Sequence, residues 1–264
     1  MGRAIELITV QATAPGTSFT AFAAVSGNSL TVRDTGKSVN MLSLFSTRQG
    51  AGAIRITSPV MHDTSVGLQL LCSSANRSMI TFDSYPQPMQ SQDVPTVTGT
   101  GSATAGDIES SSYILLYDDL PGVDGRFADW QNVERRVRNI FSNSITVATG
   151  TAGGYSGSVA INSAQDQFKA NTDYALLGYT VSSNACHAVR FVGTDWGNLG
   201  VGGPGFLQSA SDRTDNWFVQ LSHAFGRTIP IMSSVNKGLT TVDVAQDENG
   251  TDPVVTMIWA ELGR

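Results

Sequence analysis

Residues 112–122 read SYILLYDDLPG, and residues 254–264 read VVTMIWAELGR. Set Leu115 against Met257 and Pro121 against Gly263, a shift of 142. Both stretches then run through an apolar pair, an aromatic, a small or acidic residue, an acid, a leucine and a breaker. Apolar and aromatic runs closed by Pro or Gly read as strands with a stop. Two such endings in one chain predict two units built on one plan.

A second block, upstream of each ending, supports this. At a shift of 135, SVNMLSLFSTRQGAGAIRIT from Ser38 falls without a gap on DYALLGYTVSSNACHAVRFV from Asp173. Met41-Leu42 meets Leu176-Leu177, and Ala53-Ile54-Arg55-Ile56 meets Ala188-Val189-Arg190-Phe191. Two matched blocks in the same order point to an internal repeat. The difference between the shifts places seven extra residues in the second copy, expected in its loops, with Gly-rich 197–205 a candidate.

Most of the chain reads as short strands rich in Val, Ile, Thr and aromatics, bounded by Gly, Pro, Asn, Asp or Ser. They are expected at 5–10, 29–32, 39–45, 53–57, 66–71, 79–82 and 113–117. In the second half they are expected at 144–148, 158–161, 174–181, 188–192, 217–221, 228–232, 239–244 and 254–260. Many short strands with turn signals between them favour a sandwich or barrel. One segment differs. In DGRFADWQNVERRVRNIF, Phe127, Trp130, Val133, Val137, Ile140 and Phe141 fall at helical spacing, which predicts one helix over about four turns. Asp124 or Asp129 supplies its early acid, and Arg135, Arg136 and Arg138 suit the negative C-terminal end of its dipole. The expected architecture is all-β: 1–121 a first unit, 122–142 a helical connector, 143–264 a second unit.

The 264 residues are enough for two such cores. Charged residues make up 14%, against about 25% in an average soluble protein, and glycine is abundant at 27. That composition suits β structure with much buried or self-associating surface. A net charge of −6 argues against broad nucleic-acid binding, which needs a basic footprint. Cys72 and Cys186 are too few for a disulfide framework and read as small buried residues. MGRAIELITV lacks the apolar run of a signal peptide, and the sixth residue is not the Ser/Thr of a myristoylation signal, so the expected site of synthesis is a cytoplasm. No run of 18 apolar residues suggests a membrane span.

Taken together, two β units and a connecting helix at 127–141, in a short chain, resemble the double jelly-roll major capsid proteins of the tectivirus, corticovirus and adenovirus lineage. The resemblance is one of architecture and covers nearly the whole chain. It implies two tandem jelly rolls side by side and a homotrimer whose six barrels form a pseudo-hexagonal tile. It further implies a place in an icosahedral virion, a bacteriophage with an internal membrane being the expected kind, with host cytoplasm as the site of assembly. The implied partners are other copies of the chain, neighbouring capsomers, penton or minor capsid proteins and an underlying membrane, with no sequence-specific nucleic acid. The residues suit that role: a surface of few charges and many small residues allows close approach with little desolvation. The loops 85–107 and 193–214 show no strand pattern and would serve as crowns or as interlocks with neighbours, or simply as surface loops. Arg135, Arg136 and Arg138 form the one basic cluster. It would face phospholipid headgroups or a neighbour's acids at the inner capsid surface, unless it is merely the solvated side of the helix.

The sequence offers little to catalysis, and no enzyme is expected. His62, His187 and His223 are scattered, and no H-x-H pair exists for the metal of a two-barrel enzyme. Cys186 and His187 are neighbours on an expected strand, so they point to opposite faces. GGYSGS at 153–158 departs from the nucleophile elbow G-x-S-x-G, since position 158 is Ser. The glycines of 197–205 lack the strand–loop–helix setting of a dinucleotide site and read as a tight loop. Asp243, Asp247, Glu248 and Asp252 cluster without EF-hand spacing, so calcium has no motif behind it and no cofactor is expected. Asn76 and Asn249 match the glycosylation pattern, which means little without export. The alternative function is a carbohydrate-binding, spike or decoration module, with Trp196, Trp217, Trp259 and Tyr155 as a sugar platform. Trp217 and Trp259 sit in strand-like contexts, which favours core packing for them.

Overall fold

The computed structural model describes residues 2–25, 27–47, 50–61, 63–72, 77–82, 85–148, 153–183, 185–205, 214–246 and 252–263. Its strands are β1 (Arg3–Thr13), β2 (Thr20–Ala21), β3 (Ala23–Ala24), β4 (Val39–Thr47), β5 (Gly52–Ser58), β6 (Asp63–Cys72) and β7 (Arg77–Thr81). They continue with β8 (Gln87–Met89), β9 (Thr96–Gly99), β10 (Ile108–Asp118) and β11 (Phe127–Ala128). After helix α1 (Trp130–Glu134) come β12 (Val137–Thr146), β13 (Val159–Ala160), β14 (Asp173–Val181), β15 (Cys186–Val192) and β16 (Gly200–Pro204). Helix α2 (Trp217–Phe225) then precedes β17 (Ile229–Ser233), β18 (Thr241–Gln246) and β19 (Val254–Leu262). The protein is all-β in class, with four antiparallel sheets.

The sheets come in two pairs that share a central strand order, β1-β10-β4-β8 in the first large sheet and β12-β19-β14-β17 in the second. In the first pair, β3-β1-β10-β4-β7, with β8 also on β4, faces β2-β9-β5-β6. In the second, β12-β19-β14-β17-β11 faces β13-β18-β15-β16. The correspondence extends to register. A bulge leaves Leu42 out of the β4–β10 ladder, and a bulge leaves Leu177, 135 residues later, out of the β14–β19 ladder. Met41 pairs with Leu115 and Leu176 with Trp259, so β10 maps onto β19 at a shift of 144. Ile5 pairs with Leu116 and Ile140 with Ala260, which maps β1 onto β12 at 135.

Several expectations are corrected. The two endings correspond at 144, not 142. A two-residue slip keeps every side chain on its face, so the apolar pattern reads equally well in both registers. The predicted four-turn helix shrinks to the five residues of α1. Phe127 lies on β11, and Val137, Ile140 and Phe141 lie on β12, where hydrogen bonding to β19 overrides the helical spacing. Residues 217–221, expected as a strand, begin α2: Trp217, Phe218 and Leu221 form its buried stripe. Residues 29–32 form no strand, and 85–107, expected as a loop, carries β8 and β9. The Gly-rich 197–205 contains β16.

The extra length of the second half is also located. Leu44 pairs with Ile80, while Tyr179, its counterpart, hydrogen-bonds the carbonyl of Thr214. Val39 pairs with Met89 and its counterpart Tyr174 with Met232. The shift therefore rises from 134 to 143 between these points. The difference equals the 9 residues of α2, which packs on β14 and β17.

Candidate functional site

The second pair of sheets lies against the first, and this seam carries a buried polar network. It explains a sequence that alternation alone does not. In β10, ten of eleven residues are buried, because its sheet is covered on both faces. Tyr113, Leu115 and Tyr117 enter the first core with Ile54, Ile56, Leu70 and Val97 of the opposite sheet. Ile114 and Leu116, with Ile5, Leu7, Leu42 and Phe45, point the other way and join the core of the second pair. There β1 and β10 meet β16, whose glycines keep the contact close. A Cβ on Gly202 would overlap the Val189 carbonyl oxygen and stand 3.0 Å from Leu7 Cδ2.

Thr9, Ser112, Tyr155 and His187 form one hydrogen-bonded series across the seam, while the buried Gln11 Oε1 has no partner. Thr9 Oγ1 lies 2.8 Å from Ser112 Oγ and 2.7 Å from the Tyr155 hydroxyl. Ser112 Oγ also lies 2.7 Å from Nε2 of His187, which is fully buried and stacks 5.3 Å from Phe45. His187 reaches the seam because it is the residue left out of the β15–β18 register, while Cys186 before it enters the second core. Arg190 holds Asp243 bidentately at 3.0 and 2.7 Å and lies 3.6 Å over the Tyr155 ring. Burial pushes the Tyr155 phenol well above its usual value, so it is a neutral hydrogen-bonding group. Burial opposes the charge on Arg190 most strongly, but the hydrogen bonds to Asp243 together with the electrostatic attraction of Tyr155 and Asp243 outweigh it and raise its pKa.

These partners decide the chemistry. Asp243, one of the four clustered acids, is committed to Arg190; Asp247 and Glu248 lie outside the described residues, as do His62, Asn76 and Asn249. Ser156 Oγ accepts from the Val244 amide at 3.0 Å, which makes GGYSGS a turn that pins β18. His223 lies beside Trp130, with ring centroids 6.4 Å apart and planes tilted by 59°, instead of joining His187. Among the described residues no group of three His, Cys, Asp or Glu is placed to share a metal. Trp196, Trp217 and Trp259 are buried core residues with no ring face for a sugar. No helix among the described residues is long and apolar enough to cross a membrane.

The basic cluster is not a helical arc. Arg135 is the exposed C-cap of α1, Arg136 lies in the turn after it, and Arg138 is exposed on β12. Arg136 donates to the Gly263 carbonyl at 3.0 Å and stands 4.0 Å from Asp173. Arg135 and Arg136 line one cleft of about 310 Å³ with Asp129 and Asn132, and Arg136 also lines a second of about 390 Å³ with Arg126 and Arg227. Asp173 pairs with Arg126 at 2.7 Å, and Asp129 caps α1, accepting from the Asn132 amide at 2.7 Å. The clefts are lined by two acids, Asp124 and Asp129, and four arginines, Arg126, Arg135, Arg136 and Arg227, so they are basic on balance.

No protein-family model matches the sequence, and no curated protein matches it. Among solved structures, the PBSX exported protein XepA overlaps 98% of this chain and 86% of its own, at 9% identity and TM-score 0.28. The major capsid protein P2 of bacteriophage PM2 overlaps 99% and 98%, at 8% identity and TM-score 0.23. A chain of Sulfolobus Turreted Icosahedral Virus overlaps 99% and 80%, at 11% identity and TM-score 0.22. Overlap at this level does not identify a fold or a function.

Proposed function

We propose that the chain is a virion structural protein, a major capsid subunit built as two tandem jelly rolls, 1–121 and 143–264, joined through 122–142. It assembles as a homotrimer, and the trimers tile an icosahedral shell, most simply that of a bacteriophage with an internal membrane. The observation that carries this reading is the repeated strand order. In each half a larger antiparallel sheet, of six strands in the first and five in the second, faces a four-stranded one, and the first long strand lies beside the last, β1 on β10 and β12 on β19, as a jelly roll requires. The stacking of unlike sheets at the seam adds support. The first half presents its β1-β10-β4 sheet and the second its β15-β16 sheet, a heterologous contact of the kind that propagates into rings. Arg135 and Arg138, exposed and without an ion-pair partner among the described residues, suit an inner surface that meets lipid headgroups or acidic neighbours.

A carbohydrate-binding module gains no support from the three buried tryptophans. Native mass spectrometry of the purified protein tests the assembly. The expected species is three times 27.9 kDa, and a monomer persisting at micromolar concentration contradicts the reading.

A further inference from the structure

The seam inside the chain has a second, unused copy of each of its faces. Thr9 and Ser112, the hydroxyl pair of the β1–β10 face, correspond at shifts of 135 and 144 to Ser144 and Thr256 of the β12–β19 face. Those two hydroxyls also meet, at 2.8 Å. On the opposing side, Arg190 over Tyr155 corresponds to Arg55, which lies 3.7 Å over the ring of Phe19. In the seam the two motifs touch through Thr9 and Tyr155. Their counterparts face outward: Ser144 is exposed, and Phe19 is a large apolar side chain left 39% exposed. Ile5, buried in the seam, has as its counterpart Ile140, left 54% exposed. A buried β1 face and an open β12 face on the same plan are complementary to a head-to-tail series.

We propose that the β12–β19 face of one copy docks on the Phe19–Arg55 face of a second copy, repeating between chains the contact made within one. Ser144 takes the place of Thr9 and Phe19 that of Tyr155. The occupant is another copy of this chain because each open face is the counterpart of a face already covered by this chain's own other half. Ile140, Ser142 and Ser144, exposed along the middle of β12, are uncharged, so docking them desolvates no ion; the strand's one exposed charge, Arg138, sits at its N-terminal end. A heterologous contact of this kind closes into a ring or grows into a filament, depending only on the rotation between units. The inference rests on the proposed self-assembling subunit and specifies its interface.

Co-expression of Ser144→Cys chains with Phe19→Cys chains, followed by a short bismaleimide, tests the pairing; Cys72 and Cys186 are buried and provide no competing thiols. The expected product is a cross-link joining one chain of each kind, absent when either variant is treated alone. In parallel, Ile140→Glu with Ser144→Glu is expected to shift the oligomer to monomer with circular dichroism and Tm unchanged, since both side chains are exposed in the single chain. An oligomer that forms no mixed cross-link and survives the two glutamates overturns the assignment of faces but leaves assembly standing. A wild-type protein that is monomeric overturns both.

Discussion

Gly202 and Ser112 show how single residues are fixed by the seam. Neither is explained by its own strand: Gly is disfavoured in strands, and three serines in a row at the start of a buried strand look misplaced. Both make sense once a second sheet lies across them. Gly202→Val drives a side chain into the Val189 carbonyl and Leu7, and we expect a loss above about 4 kcal/mol, or no soluble protein, in urea titration. Ser112→Ala leaves the buried His187 and Thr9 without a shared partner and is expected to cost about 1–3 kcal/mol. A Tm equal to wild type would show that the network is not closed through Ser112. At this scale the sequence is informative about burial. The core placement of Trp217 and Trp259 follows from their apolar neighbours, whereas the imidazole of His187 has no local signal, because Ser112, which it meets, lies 75 residues away.

At the scale of elements, the paired bulges at Leu42 and Leu177 are the firmest mark of common design. A bulge sets which residues on either side face the core, so deleting Leu177 moves one end of β14 by a residue and turns its side chains over. The expected outcome is insoluble protein. A deletion variant with wild-type Tm and near-ultraviolet dichroism contradicts the register. The strands of the repeat were legible because Leu, Ile and Val recur at matched spacing on both sides. The connector was not. Its apolar residues fit a helix as well as they fit the end of one strand, a short helix and the start of another. The pairing partner that decides between them, β19, lies more than 100 residues downstream. For the same reason α2 reads as a strand: Trp217, Phe218 and Val219 are a strand-like run, and only their packing on β14 and β17 makes them helical. The basic cluster was found as a composition feature, but its geometry depended on the helix that did not form.

At the scale of the molecule, four layers of sheet enclose two cores, and the seam joins the outer face of one pair to the core of the next. Tyr113, Tyr117, Tyr155 and Tyr179 are held in these layers, and burial raises the pKa of each phenol. A phenol whose folded pKa is raised adds stability that is complete below its unfolded value near 10 and is lost as pH rises past it. The contribution of these phenols should therefore be level below about pH 10 and fall above it, so stability declines from about pH 10 upward. Tyrosinate absorbance from these four residues should appear together with loss of β circular dichroism. Their ionisation near pH 10 with the dichroism intact contradicts their placement. The claim that joins all three scales is that one chain supplies two equivalent barrels to a ring of itself. Electron microscopy of the purified oligomer tests this most directly. A particle of three chains with six barrels around one axis is predicted. A particle with one barrel-sized lobe per chain, or a lone monomer, contradicts it.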